Sequence, residues 1–182
     1  MKSELNKILT ADDIVKSIND NKRYLFQIIP ELEEYFHQHN HPQHIDGPIW
    51  KHVLLALSLS EKDYDIRLAL LLHDIGKKRK CEVGIDGFNH YKGHAEESSR
   101  MANEILRRLG YDEEYIRRMC YFITYHDTPI TEASIDSDYE ICEKLYKIQC
   151  CDALAHHPNY LEKRKKYLEA TKELLDRHKK VL

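Results

Sequence analysis

The chain has 182 residues, a formal charge of −3 and a pI near 6.5, a length that suits one domain enclosing its own hydrophobic core. Interspersed charges of both signs exclude a broad surface for bulk DNA or RNA, and five cysteines without C-x-x-C spacing exclude a disulfide framework or zinc knuckle. Residues 1–10 lack the apolar stretch of a signal peptide and no run reaches the length of a membrane span, so the expected setting is cytoplasmic, without a membrane partner.

Nearly every segment repeats its apolar residues with a 3.6-residue period, which predicts an all-α fold, a single-domain helical bundle. Thr10 followed by Asp13 resembles the capping signal of a first helix. Pro30, tolerated only in a first turn, predicts a helix to about His37, and the two prolines and glycine within 39–48 predict a loop. Pro48 opens a helix to about Lys62, and a more apolar one runs from about Asp65 to Ile75, ended by Gly76. Residues 76–91, with Gly84 and Gly87, read as a long irregular connection, a feature often tied to function. Helices follow from about Gly93 to Leu109, closed by Gly110, and from Asp112 to about His126, with a break at Pro129. The last two run from about Asp138 to His156 and from Pro158 to the end.

A polar residue on the apolar face of a helix is informative, because a buried charge must be paired or bound to a metal. Asp152 falls on the stripe of Ile141, Leu145 and Ile148. His52 shares a face with Leu55, Ala56 and Leu59, and His126 lies three residues past Ile123 and seven past Met119. His94 precedes Met101, Ala102 and Ile105 at helical spacing, and His73 continues the face of Ile66, Ala69 and Leu70 with Asp74 beside it. One inward histidine is usually a core residue bonded to a carbonyl. Six residues of ligand type, all inward, fit the imidazole and carboxylate chemistry that binds manganese, iron, cobalt, nickel or zinc. Without thiolates, an open catalytic site is favoured over a structural one. The remaining histidines, His37, His39, His41, His44, His90, His156, His157 and His178, fall in loops or near helix ends, and most of them are expected to be solvated.

The order of these residues resembles the HD-domain superfamily of metal-dependent phosphohydrolases, whose name comes from an adjacent pair present here as His73-Asp74. The string Leu71-Leu72-His73-Asp74-Ile75-Gly76-Lys77 is similar to its signature, with Trp50-Lys51-His52 before it. Gly93-His94-Ala95-Glu96, Tyr125-His126-Asp127 and Asp152 follow in the family's order. The resemblance covers about residues 29–160, with flanking helices on either side, and is nearest to the HD portion of bacterial CCA-adding tRNA nucleotidyltransferases as a stand-alone domain. The nucleotidyltransferase head has no counterpart, so nucleotidyl transfer is not implied.

What the resemblance implies is a phosphatase, nucleotidase or cyclic phosphodiesterase. One-metal relatives use four ligands, matching His52, His73, Asp74 and Asp152. Two-metal relatives add residues matching His94 and His126, with Asp74 bridging, so two divalent ions (Mn, Fe, Ni, Co, Mg or Zn) are expected. Many relatives have paired histidines where this chain has His126-Asp127, and Asp127 could accept from a ligand histidine. Two ions held about 3.5–4 Å apart activate water and stabilise an in-line displacement. Lys77, after Asp74, could offset phosphoryl charge as a catalytic and substrate-binding group, or simply meet the helix dipole. Lys78 continues a basic run to Lys80 that could clamp a nucleotide or RNA-end phosphate. Two other readings use the same residues: an HD-type di-iron oxygenase, and a non-enzymatic nucleotide-sensing module. The oligomeric state is left open, a homodimer included.

Overall fold

The computed structural model describes residues 1–36 and 47–179. Histidines 37, 39, 41 and 44, and most of the loop expected over 39–48, lie outside the described residues. Among those described, eleven α-helices and one two-stranded hairpin form an all-α architecture.

The N-terminal third is built of short helices, α1 (Lys2–Leu9), α2 (Ile14–Asp20), α3 (Lys22–Ile28) and α4 (Glu31–Phe36). Thr10 and Asp13 do not open the first helix together: Thr10 closes α1, and Asp13 caps α2 by accepting from Lys16 N at 2.9 Å. The same device recurs later in the chain. Asp63, Asp112 and Asp138 each accept from the backbone N–H three residues on, satisfying one of the donors a helix start leaves over.

Two helices carry the signature region, α5 (Ile49–Ser58) and α6 (Tyr64–Leu72), both shorter than the periodicity suggests. The buried stripe of α5 is Ile49, Trp50, His52, Val53, Ala56 and Leu57, while Leu59, expected on that face, is 46% exposed. Every residue of α6 from Ile66 to Leu72 is buried, which makes it the central helix, packed against α1, α5, α8 (Glu113–Thr124) and α10 (Tyr139–Leu154). Arg67 can lie inside because its guanidinium donates to the Leu9 and Ala11 carbonyls, both at 2.8 Å, just where α1 ends.

Residues 77–91 are more regular than expected. Lys77–Lys80 form a 3₁₀ turn, and β1 (Glu82–Val83) pairs antiparallel with β2 (Asn89–His90). Period-based reading misses strands of two residues, because such pieces have no period to detect. Next, α7 (His94–Arg108) packs along α8, joined through Gly110 at φ +83°. There Tyr111 N donates to Leu106 O and Gly110 N to Arg107 O, the paired bonds that end a helix on a left-handed glycine. A helix absent from the sequence reading, α9 (Glu132–Ser137), precedes α10. Finally α11 (Leu161–Lys179) lies against α10 through Leu168, Thr171 and Leu175, after a 3₁₀ turn at Pro158–Tyr160. No helix among the described residues is long and apolar enough to cross a membrane.

Candidate metal centre

The six residues singled out by their placement meet at one point, although His52 and Asp152 are a hundred positions apart in sequence. His52 and Asp152 sit inside helices α5 and α10, and the other four lie at or just beyond helix ends. His73 caps the end of α6, Asp74 follows in the next turn, His94 opens α7, and His126 lies two residues past α8.

This placement at helix ends has a physical use. The last carbonyls of a helix lack intrahelical donors, and here they hold imidazoles. His73 Nδ1 donates to Leu70 O at 2.8 Å, His126 Nδ1 to Ile123 O at 2.7 Å, and His52 Nδ1 to Ala155 O, at the end of α10, at 3.1 Å. His94 Nδ1 donates to Tyr91 O at 3.0 Å. With its proton on Nδ1, each ring turns an Nε2 lone pair inward, the tautomer a metal ligand needs. The acceptor that orients His126 is therefore the Ile123 carbonyl, not the carboxylate of Asp127, which is exposed at the rim.

The inward nitrogens come in two pairs. His52 and His73 place Nε2 atoms 3.3 Å apart, and His94 and His126 place theirs 3.4 Å apart. Lone pairs at that spacing repel unless a proton or a cation lies between them. Asp74 stands between the pairs: Oδ2 is 3.3 Å from His73 Nε2 and 3.7 Å from His52 Nε2, while Oδ1 is 3.4 Å from His94 Nε2. Asp152 Oδ1 completes the first group, 2.9 Å from His52 and 3.4 Å from His73. The donor atoms of His52, His73 and Asp74, and those of Asp74, His94 and His126, form two groups that could each hold a metal ion, with Asp74 common to both. Asp74 Oδ1 is buried without a hydrogen-bond partner, a costly arrangement that a cation would relieve.

Electrostatics point the same way. Burial opposes charge on Asp74, yet His73, Lys77, His94 and His52 together hold its carboxyl well below the usual range. Burial likewise opposes charge on Asp152, and the imidazoles of His52 and His73 beside it depress its carboxyl well below that range. Burial works against a charged His73 too, but Asp74 and Asp152 outweigh it and raise its pKa. His126 is lowered by burial and by the neighbouring His73. Two anionic carboxylates thus draw positive charge into the centre, a role that a metal ion can fill.

Gly76 sets the distance between the two halves. Its φ of −81° is ordinary, so the glycine is required for space. A Cβ there would lie 2.5 Å from Ser98 N and 2.8 Å from His94 O, forcing the first turn of α7, and His94 with it, away from Asp74. Gly76 N also donates to Ser98 Oγ at 2.9 Å. The sequence reading gave this residue only the role of a helix terminator.

His156, grouped by sequence with the histidines of loops and helix ends, is an exception to their expected solvation. It is 4% exposed, and its ring lies 5.1 Å from that of His52. His52, Asp152 and His156 form a further group with metal-ligand spacing. Burial pushes its imidazole down to about 4, so it stays neutral at physiological pH. Its position four residues after Asp152 was the available signal, since that spacing returns to the same helical face.

The basic run divides. Lys77 is turned inward, 2% exposed, with Nζ 2.7 Å from Asp74 Oδ2 and 5.5 Å from the centre of the Tyr91 ring. Lys78, Arg79 and Lys80 are exposed, and Arg79 pairs with Glu97 at 3.3 Å. Lys78, expected to touch substrate, does not line the cavity above the centre; Arg164 of α11 does. That cavity, about 280 Å³, has Asp74, His94, His126, Asp152 and His156 in its floor and walls.

Residues 50–177 match the HD domain family, and the chain belongs to it. The match starts at Trp50 and runs into α11, later at both ends than the resemblance over 29–160. Comparison with curated proteins returns no match. Membership places the chain among metal-dependent phosphohydrolases in general, with a histidine and aspartate cluster able to hold metal.

Proposed function

We propose that this protein hydrolyses a phosphate ester of a nucleotide or an RNA end, using two divalent ions held by His52, His73, Asp74, Asp152, His94 and His126. The observation that carries the reading is the division of Asp74 between two imidazole pairs, with Oδ1 buried and unsatisfied. The resemblance of the sequence motifs to the HD portion of CCA-adding enzymes, which is finer than the family match, is what suggests a nucleotide or RNA-end substrate.

Divalent ions in such a site acidify water and neutralise phosphoryl charge. The chain's own groups do the rest. The four carbonyl-anchored imidazoles and two carboxylates fix the ligand geometry before anything binds, so little reorganisation is needed. Lys77 holds Asp74 Oδ2 and lies along the cavity wall, where its ammonium offsets charge gathering on a phosphoryl oxygen. Hydrolysis would form a bond from water oxygen to phosphorus and break the ester P–O bond, with a water proton passing to the departing oxygen, which leaves as the alcohol or, in a cyclic ester, stays on the product as a hydroxyl.

The test is a panel of 2′,3′-cyclic nucleotides, nucleoside monophosphates and sugar phosphates, assayed with manganese, nickel, cobalt, magnesium or iron. Turnover of the nucleotides should exceed that of sugar phosphates by about tenfold or more. Equal rates would remove the nucleotide claim. Substrate-dependent oxygen uptake by the iron form would favour the di-iron oxygenase, which the same donor set could support.

A further inference from the structure

Beside the metal-facing cavity lies a second, of about 520 Å³, that shares His126, Asp127, Asp152 and Arg164 with it. The two form one cleft, within the range of about 300–1,000 Å³ usual for small-molecule sites. Its outer wall belongs to α11 and the turn before it, segments that carry none of the six ligand residues. Arg164, half-buried, borders both parts and stands where an ester phosphate would pass from one to the other. Tyr160, 42% exposed, and Pro129 and Ala153 give the second part flat apolar surfaces.

The polar groups deeper in that wall are already engaged. Gln149 Nε2 donates to Tyr125 O at 2.9 Å and Thr128 O at 2.7 Å, and its Oε1 accepts from Tyr167 OH at 2.9 Å. Apart from the metal-facing His126 and Asp152, the groove therefore offers, among the described residues, a ring surface whose buried amide, Gln149, is already bonded. Asp127 and Lys163 lie at its exposed rim, where solvated charges discriminate weakly.

Resting on the nucleotide reading above, we infer that α11 forms the specificity wall of this site. Arg164 binds the ester phosphate and Tyr160 stacks on a planar ring, so nucleotides are taken with little regard to the identity of the base. Stacking tolerates every base because each has a π-face.

Binding of adenosine and cytidine 5′-methylenephosphonates, whose C–P bond resists hydrolysis, tests this by calorimetry on the metal-loaded protein. Because no turnover is needed, the groove can fail while hydrolysis stands, or the reverse. The two nucleoside phosphonates should bind within about threefold of each other and about tenfold tighter than ribose 5-methylenephosphonate. Tyr160→Ala should weaken both nucleosides by about tenfold and leave the ribose compound unaffected, and Tyr160→Phe should restore them. Arg164→Ala should weaken all three. An order-of-magnitude preference for one base, equal affinity for the ribose compound, or no change in Tyr160→Ala or Arg164→Ala would overturn the inference.

Discussion

Replacing Asp74 by alanine is expected to abolish hydrolysis, by about a thousandfold or more in kcat/KM, and to lower the metal content of the protein at the same time. A thousandfold corresponds to roughly 4 kcal/mol of transition-state stabilisation. The size of the effect follows from position. Among the described residues Asp74 is the one carboxylate within ion-pair distance of both imidazole pairs, and each of its oxygens serves a different pair. Without it the His94 and His126 nitrogens remain 3.4 Å apart and lose the carboxylate that completes their group of donors, leaving a poor site for a dication. Elemental analysis of the purified variant, with kinetics on the best ester of the panel, checks both halves. Retention of full activity would refute the bridging role.

The variant Lys77→Met is expected to behave differently, keeping its metal while kcat falls by about ten- to a hundredfold. Methionine fills a similar volume but removes the ammonium 2.7 Å from Asp74 Oδ2. Breaking one side of a buried ion pair costs about 3–5 kcal/mol when the remaining charge has no other partner. Bound cations would provide that partner. The chelated variant should therefore be destabilised far more than the metal-loaded one, and the gap in Tm between the two forms should widen relative to wild type. Loss of metal from Lys77→Met, or an unchanged gap, would contradict this account of the lysine.

The centre was legible in the sequence because its residues violate the patterning of their surroundings. A carboxylate on the stripe of Ile141, Leu145 and Ile148, and histidines in register with apolar faces, are costly unless compensated, and that cost is visible without coordinates. The all-α fold was legible for the same reason, since long amphipathic helices such as α7 and α8 repeat their period over several turns. Features carried by few residues escaped. The hairpin at residues 82–90 has strands of two residues, and α9 spans barely a turn and a half. His156 is harder to place from sequence because it lies two residues past the end of α10, where the helical period no longer fixes a side chain's direction. The role of Gly76 was invisible for a different reason: its neighbours across the gap, His94 and Ser98, are distant in sequence, and only packing brings them within contact. The basic run could not be divided from sequence, because four adjacent cations on a 3₁₀ turn cannot all face one way, and one of them, Lys77, is turned inward.

The central claim is that these six side chains hold two metal ions with Asp74 between them. Anomalous scattering from crystals of the manganese-loaded protein tests it most directly. Two peaks are expected, one among His52, His73 and Asp152 and the other beside His94 and His126, both in contact with the Asp74 carboxylate. An absence of bound manganese at this cluster, or ions bound only elsewhere on the protein, would contradict the account.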